Sequence, residues 1–238
     1  MGSNGQLGNC LLRRFALDAD LIWVGYARED LDICDVQKIQ EVLSAECPDY
    51  VVNAAAYTDV DQAESDQKNA WEVNAVAPGL IARICCELNI AFVHLSTDYV
   101  FNGEEGGTEY RPYLKSDRVS PLGVYGESKA EGERAIEAEM KKGGGRYHIV
   151  RTSWLYDNVG RNFFTTMVKL GQERSEIKVV YDQRGTPTYA GSLSEALRML
   201  VLKGGDGTSG ILHFSDEGVT CCASFARAIF EELGMEEE

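Results

Sequence analysis

Residues 91–103, AFVHLSTDYVFNG, set an apolar run directly against Ser96, Thr97 and Asp98, and the reading of this junction decides the architecture. The run reads as a buried strand, with two hydroxyls and a carboxyl standing where it stops. In an open parallel sheet, ligands bind at the carboxyl ends of strands, so hydroxyls at such an end are placed to touch a substrate. They would serve equally to satisfy strand-end backbone groups, with Asp98 opening a turn. Residues 50–61, YVVNAAAYTDVD, repeat the design. There a strand runs into Ala54, Ala55 and Ala56, small enough for a flat ligand to lie on the backbone and equally suited to close strand–helix packing. Further strands are expected at 21–25, 147–151 and 177–181. Helices are expected near 6–17, 35–45, 67–88, 123–141, 161–173, 191–203 and 220–233. The alternation indicates α/β architecture with a largely parallel sheet. Pro78 should kink or interrupt the third helix, and Thr220 is a plausible cap for the last. Residues 142–145 read as a loop, and 102–121 as a long polar segment of the kind that often carries function.

The N-terminal stretch GSNGQLG places Gly2, Gly5 and Gly8 at three-residue spacing ahead of an amphipathic helix. A glycine turn opening a helix can hold a dinucleotide pyrophosphate, because backbone N–H groups and the positive helix end face the phosphates. Such a turn should follow a buried strand, whereas only Met1 precedes this one, and a plain flexible end fits the glycines as well. The densest chemistry lies at Tyr125-Gly-Glu-Ser-Lys129. A Tyr and a Lys four apart project from one helix face, and an ammonium beside a phenol is expected to lower the phenol's pKa and ready it for proton exchange. Taken alone, such a pair is ordinarily just part of a solvated helix surface.

Bulk properties narrow the classes. The 238 residues, 44% hydrophobic and 26% charged, suit a soluble globular protein of one large domain or two small ones. A formal net charge of -15, with no Lys/Arg stripe, argues against nucleic acid as a partner. The acidic end, Glu236 to Glu238, reads as a solvated tail. Seven cysteines without a Cys-x-x-Cys give neither a disulfide framework nor a zinc pattern, so no metal site is expected. No apolar run approaches the roughly 20 residues of a bilayer span. The expectation is a cytoplasmic protein with no membrane partner.

The motifs GSNGQLG, LDICD, NAAAYTDVDQAE, VNAVAP, LSTDYVFNG, PLGVYGESKAEGE, RTSWLY, NFFTTMVKLG and DQRGTPTYAGSL follow one another over nearly the whole chain. In that order they resemble the extended short-chain dehydrogenase/reductase family and, within it, the dTDP-4-dehydrorhamnose reductases. The resemblance implies a Rossmann-like doubly wound sheet over residues 1–152, interleaved with a small, incomplete substrate-binding portion over 153–238. It implies that Asn4, Gly5, Gln6 and Leu7 bracket the cofactor pyrophosphate and that Asp32 and Ile33 lie beside the adenine. Ala56, Tyr57, Thr58 and Leu95 would line the nicotinamide side. Tyr125 would protonate the C4 oxygen of a dTDP-4-keto sugar as NADPH or NADH delivers hydride. Lys129 would hold the nicotinamide ribose and tune Tyr125, and Thr97 would bond the same carbonyl. Asp98 and Trp154 would contact the sugar nucleotide, although a large aromatic such as Trp154 is more often core. Asn74 would support the lysine, or else be a helix-surface amide.

Related dehydratases carry Glu where this chain has Tyr99, and epimerases a Ser/Ala-rich segment, so the resemblance implies carbonyl reduction. A catalytically silent relative, like the regulatory subunit of methionine adenosyltransferase, or another epimerase or reductase of the superfamily, stays as the alternative. Arg28 after the second strand favours NADPH, while Glu29 and Asp30 beside it temper that. Some relatives dimerise through Mg²⁺ and glutamates; a homodimer is possible, but no Mg²⁺ cluster is identifiable here. The family begins with a strand ahead of the glycine turn and continues past the last helix seen here. Strands 21–25 and 91–95 are therefore expected to expose unpaired backbone, and the chain to be a fragment or mis-started frame of a longer enzyme.

Overall fold

The structure, a computed structural model, describes residues 1–16, 18–104 and 111–235. The expected tail at Glu236 to Glu238 and part of the 102–121 segment lie outside the described residues. The chain runs through α1 (Gln6–Phe15), α2 (Val36–Glu46), β1 (Tyr50–Asn53), α3 (Val60–Ser65), α4 (Gln67–Trp71), α5 (Ala77–Glu87), β2 (Ala91–Thr97), α6 (Val124–Gly143) and β3 (Tyr147–Thr152). It continues through β4 (Leu155–Tyr156), α7 (Phe163–Glu173), β5 (Arg184–Gly185), β6 (Thr188–Tyr189), α8 (Ala190–Leu202), β7 (Gly210–His213), β8 (Thr220–Cys221) and α9 (Cys222–Glu232).

The sheet is parallel, in the order β1-β2-β3-β7. Alternate residues of its strands face opposite ways, and both faces are covered. Val51, Phe92 and Ile149 pack with residues of α2, α5 and α6, while Val52, Val93 and Val150 pack with α1 and α8. This is an α/β/α doubly wound fold, as expected from strands apolar on both faces. The two-stranded pairs β4–β6 (parallel) and β5–β8 (antiparallel), with α7 and α9, build a smaller cluster around Met167, Ala226 and Ile229. Among the described residues no helix is long and apolar enough to cross a membrane.

Several expectations change. Residues 21–25 form no strand: Met1, Gly2 and Ser3 lie between them and β1. The Met1 amino group donates to the Val52 carbonyl (3.0 Å), Ala54 N–H donates to Met1 O (3.2 Å) and Ser3 N–H donates to Tyr26 O (3.0 Å). The thin margin of the sheet is thus at β1, not at 91–95, because β2 is bonded on both sides. Ile22 is 99% exposed, whereas Trp23 stacks on Phe15. Residues 177–181 pair in no sheet, and are held by Ala223 N–H donating to Val180 O and by partial burial of Ile177 and Val179 beside α7 and α9. The fourth strand of the main sheet is instead β7. Helix α6 runs to Gly143 and stops at Gly144, whose φ of 71° suits a residue without Cβ. Pro78 sits in the first turn of α5, and a π-helical turn, Glu72–Val76, joins that helix to α4.

That turn lets α6 approach closely. A Cβ at Gly132 would lie 2.1 Å from the Asn74 carbonyl oxygen, a backbone atom that cannot turn aside. Gly132→Ala should therefore cost about 1–3 kcal/mol of stability, as overpacking does, read as a lowered urea midpoint; an unchanged midpoint would contradict this close approach.

Candidate active site

The carboxyl ends of β1, β2 and β3 open on a cavity of about 900 Å³. Its wall contains every site residue expected from the sequence: Asn4, Gly5, Gln6, Leu7, Asp32, Ile33, Ala56, Tyr57, Thr58, Leu95, Thr97, Asp98, Tyr125, Lys129 and Trp154. At one end is the glycine turn. Gly2 has φ 78° and a Cβ there would meet Ala55 N at 2.7 Å, while a Cβ on Gly8 would meet Gly2 O at 2.1 Å. Side chains are thus excluded, and the turn lies flat on the end of β1. No side chain caps α1, whose first backbone bond runs from Asn9 N–H to Gly5 O. The Gln6 amide nitrogen is buried without a partner. Uncapped helix N–H groups beside an orphaned amide donor fit a ligand's phosphates.

Beyond the turn, Asp32 accepts from Cys34 N–H (3.0 Å) and pairs with Arg28 (3.4 Å), which together hold its carboxyl below the usual range. The Arg28 side chain is otherwise open to solvent. The strand-end alanines lead to Tyr57, whose backbone N–H donates to Asn74 Oδ1 and whose carbonyl accepts from Asn74 Nδ2, both at 2.9 Å. Asn74 also donates to Ser128 Oγ (3.2 Å) and is 1% exposed, so it is a clasp between β1's loop and α6 rather than a surface amide.

Tyr125 and Lys129 sit one helical turn apart on α6. The lysine is 1% exposed, and its Nζ donates to Leu95 O (2.7 Å) and lies 3.1 Å from His94 Nε2. The Tyr125 ring meets Tyr99 edge-on at 5.4 Å. The expectation that an ammonium lowers the Tyr125 pKa is not met. Burial pushes the phenol up to about 12, opposed by a hydrogen bond with Thr97, and Lys129 is turned to the strand instead. Thr97 Oγ1 donates to Asp98 Oδ1 and accepts from Tyr99 N–H, both at 3.2 Å. Burial raises Asp98 to about 6, against the hydrogen bond from Thr97. Trp154 has a left-handed φ of 46° and lies over Gly185, where a Cβ would come within 2.5 Å of the indole. A strained backbone at a cavity wall is the usual place for such strain.

The sequence reading passed over several polar residues beneath this wall. Asn53 Nδ2 meets His94 Nδ1 at 3.2 Å, and both residues are fully buried. Glu133 on α6 binds Arg151 of β3 (2.6 Å) and accepts from Ser96 Oγ (2.5 Å). Polar residues inside otherwise apolar strands were the available signal. Arg161, Asn162 and Gln183 also line the cavity from the C-terminal cluster. Among the described residues, no group of three or more His, Cys, Asp or Glu is placed to hold a metal ion.

A family model described as RmlD substrate binding domain matches residues 1–238. The chain is 39% identical over 237 residues to a dTDP-4-dehydrorhamnose reductase of Mycobacterium tuberculosis (strain CDC 1551 / Oshkosh), covering 99% of this chain and 75% of that protein. The chain belongs to the dTDP-4-dehydrorhamnose reductase family. A crystal structure of such a reductase from Clostridium acetobutylicum superposes with a TM-score of 0.90 at 34% identity, covering 100% of this chain and 80% of that one. One from Bacillus anthracis in complex with NADP gives 0.88 at 36% identity, with the same coverage. The chain therefore shares the fold of these reductases.

The raised Asp98 pKa fixes a direction for stability. A carboxyl whose folded pKa lies above its unfolded value of 3.8 stabilises the fold below that value, and the contribution is lost as pH climbs through about 6. Asp98→Asn, which cannot ionise, should gain stability relative to the unmodified chain between pH 4 and 7. Denaturant melts at matched pH would show this; a difference that stays flat with pH would refute the shift.

Proposed function

We propose that the chain reduces the 4-keto group of dTDP-4-dehydro-6-deoxy-L-mannose to the alcohol, with NADPH as the preferred hydride source. The observation that carries this reading is the convergence of Tyr125, Thr97 and Lys129 at one cavity with an uncapped, glycine-lined helix end opposite them. Residues 4–7 would hold the pyrophosphate through backbone N–H groups, with Asp32 and Ile33 against the adenine. Arg28, exposed at the cavity's rim, could meet a 2′-phosphate, and the Bacillus anthracis relative was crystallised with NADP. Ala56, Tyr57, Thr58 and Leu95 would flank the nicotinamide. The reduced cofactor, when bound, supplies hydride to the carbonyl carbon.

The remaining work falls to side chains. A proton donor must hold its proton at neutral pH, and the buried Tyr125 phenol does. Donation to the C4 oxygen leaves a phenolate, which the Thr97 hydroxyl and a cationic Lys129 would steady. Asp98, Trp154 and the C-terminal portion from residue 153 would bind the sugar nucleotide. Elimination of water would call for a second carboxyl near Tyr125 at position 99, which here carries a tyrosine.

The test is NADPH consumption with dTDP-4-dehydro-6-deoxy-L-mannose, beside Tyr125→Phe. Loss of the phenol should lower kcat by about 10²–10⁴-fold while leaving NADPH affinity within a few-fold. A folded chain that binds NADPH but turns over no keto-sugar would favour a silent, partner-binding relative instead.

A further inference from the structure

A second cavity, of about 410 Å³, lies against β7 and shares no lining residue with the first. Lys115, Ser116, Glu137, His148 and Ser209 supply polar groups to its wall, beside Gly210 to Leu212 of β7. It sits away from the chemistry: His148 is the second residue of β3, whereas Thr152, at the far end of that strand, lines the active-site cavity.

His148 is the residue here that the fold does not account for. It is 4% exposed, and its Nδ1 is buried with no hydrogen-bond partner. Among the described residues nothing bonds its Nε2 either. Buried polar groups nearly always have a partner, so a partner for this ring has to come from the cavity it lines. A neutral imidazole carries one hydrogen. On Nδ1 that hydrogen would be a sealed, unmatched donor, and such donors are rarer in folded proteins than under-used acceptors. On Nε2 it can be given to the cavity while Nδ1 stays bare. Burial holds the ring below its ordinary pKa, so a second hydrogen is disfavoured. His148 thus offers the cavity a donor.

The other groups match it. Ser209 Oγ already accepts from Tyr147 N–H (3.2 Å), which leaves its own hydrogen to give. Lys115 makes no ion pair among the described residues, and Ser116 adds a hydroxyl. The carboxylate of Glu137 faces donors of its own: Oε1 accepts from Tyr147 O–H and from Lys141 Nζ, each at 3.1 Å. A wall whose acid is paired and whose remaining polar groups donate calls for a ligand rich in acceptors.

We propose that this cavity is a second binding site, for a small oxyanion of the phosphate class, with His148 Nε2–H, the Ser209 hydroxyl and the Lys115 ammonium as its donors. A phosphate brings several acceptor oxygens and a charge that the ammonium answers. A divalent cation fits worse, because among the described residues no third His, Cys, Asp or Glu joins His148 and Glu137. The inference stands apart from the reaction proposed above and needs no turnover.

Inorganic phosphate is the probe, titrated into the full chain at constant ionic strength and read by nitrogen NMR of the imidazoles. Three histidines keep that spectrum simple, and the His148 ring is assigned through its backbone. Its signals should shift and saturate at millimolar phosphate, and chloride in place of phosphate should leave them unmoved. Lys115→Ala should weaken the binding about tenfold, as loss of one charge-assisted hydrogen bond does, and Ser209→Ala should weaken it less. Both substitutions are at exposed positions and spare the fold. Glycerol phosphate, run in parallel, tells the source: tighter binding than inorganic phosphate marks a phosphorylated metabolite, weaker binding marks the free ion, and either supports the site. Phosphate held at the glycine turn is told apart, since it moves the backbone signals of Gln6 and Leu7 and is indifferent to Lys115→Ala. His148 signals that stay fixed throughout, or that shift equally in the unmodified chain and in Lys115→Ala, would overturn the proposal.

Discussion

Glu133 and Arg151 meet in the interior at 2.6 Å, each side chain about 5% exposed or less, and the orientation of α6 hangs on this contact. The guanidinium engages both carboxylate oxygens and lies over the Phe101 ring at 5.1 Å, while Ser96 adds a third bond to the same carboxylate. One ion pair thus ties α6 to β2, β3 and the segment after β2. Such pairs add little net stability, because desolvation offsets attraction, yet removing one partner typically costs about 3–5 kcal/mol. The pair therefore acts less as glue than as a locating pin. With Glu133 placed, Lys129 and Tyr125 fall one and two turns further up the helix, opposite the end of β2.

A common cause runs through the groups above that pin. Tyr125, Asp98, Lys129 and His94 are all displaced toward their neutral forms, and burial is the largest cause for each. The crevice is lined by residues able to carry charge, but as folded it disfavours charge on them. This suits a site meant for ligands that bring their own phosphates, since charge on the protein would appear where the ligand's field compensates it.

The sequence was most informative where segments are buried on both faces. Residues 50–54, 91–95 and 147–151 read correctly as strands because short, largely apolar runs set between helix-length stretches have few other homes. Residues 21–25 and 177–181 look as strand-like, but pairing belongs to a neighbour as much as to a segment, and neither finds a ladder. β7 escaped notice because Gly210–His213 is short, half-exposed and glycine-led. At the site, residue types with known chemistry were legible from motif spacing. The effect of Lys129 on Tyr125 was not, since it depends on which hydrogen-bond acceptor the amine reaches. The roles of Asn53, His94 and Arg151 depend on register across strands, which no local pattern encodes.

The margin of the main sheet at β1, where among the described residues Met1 bonds Val52 and Ala54 without forming a ladder, bears on how the chain behaves as a colloid. Backbone edges of this kind recruit further strands, while a net charge of -15 keeps copies apart. Screening weakens that repulsion and leaves short-range backbone bonding untouched. Dispersed in dilute buffer, the chain should therefore become progressively more adhesive as ionic strength rises.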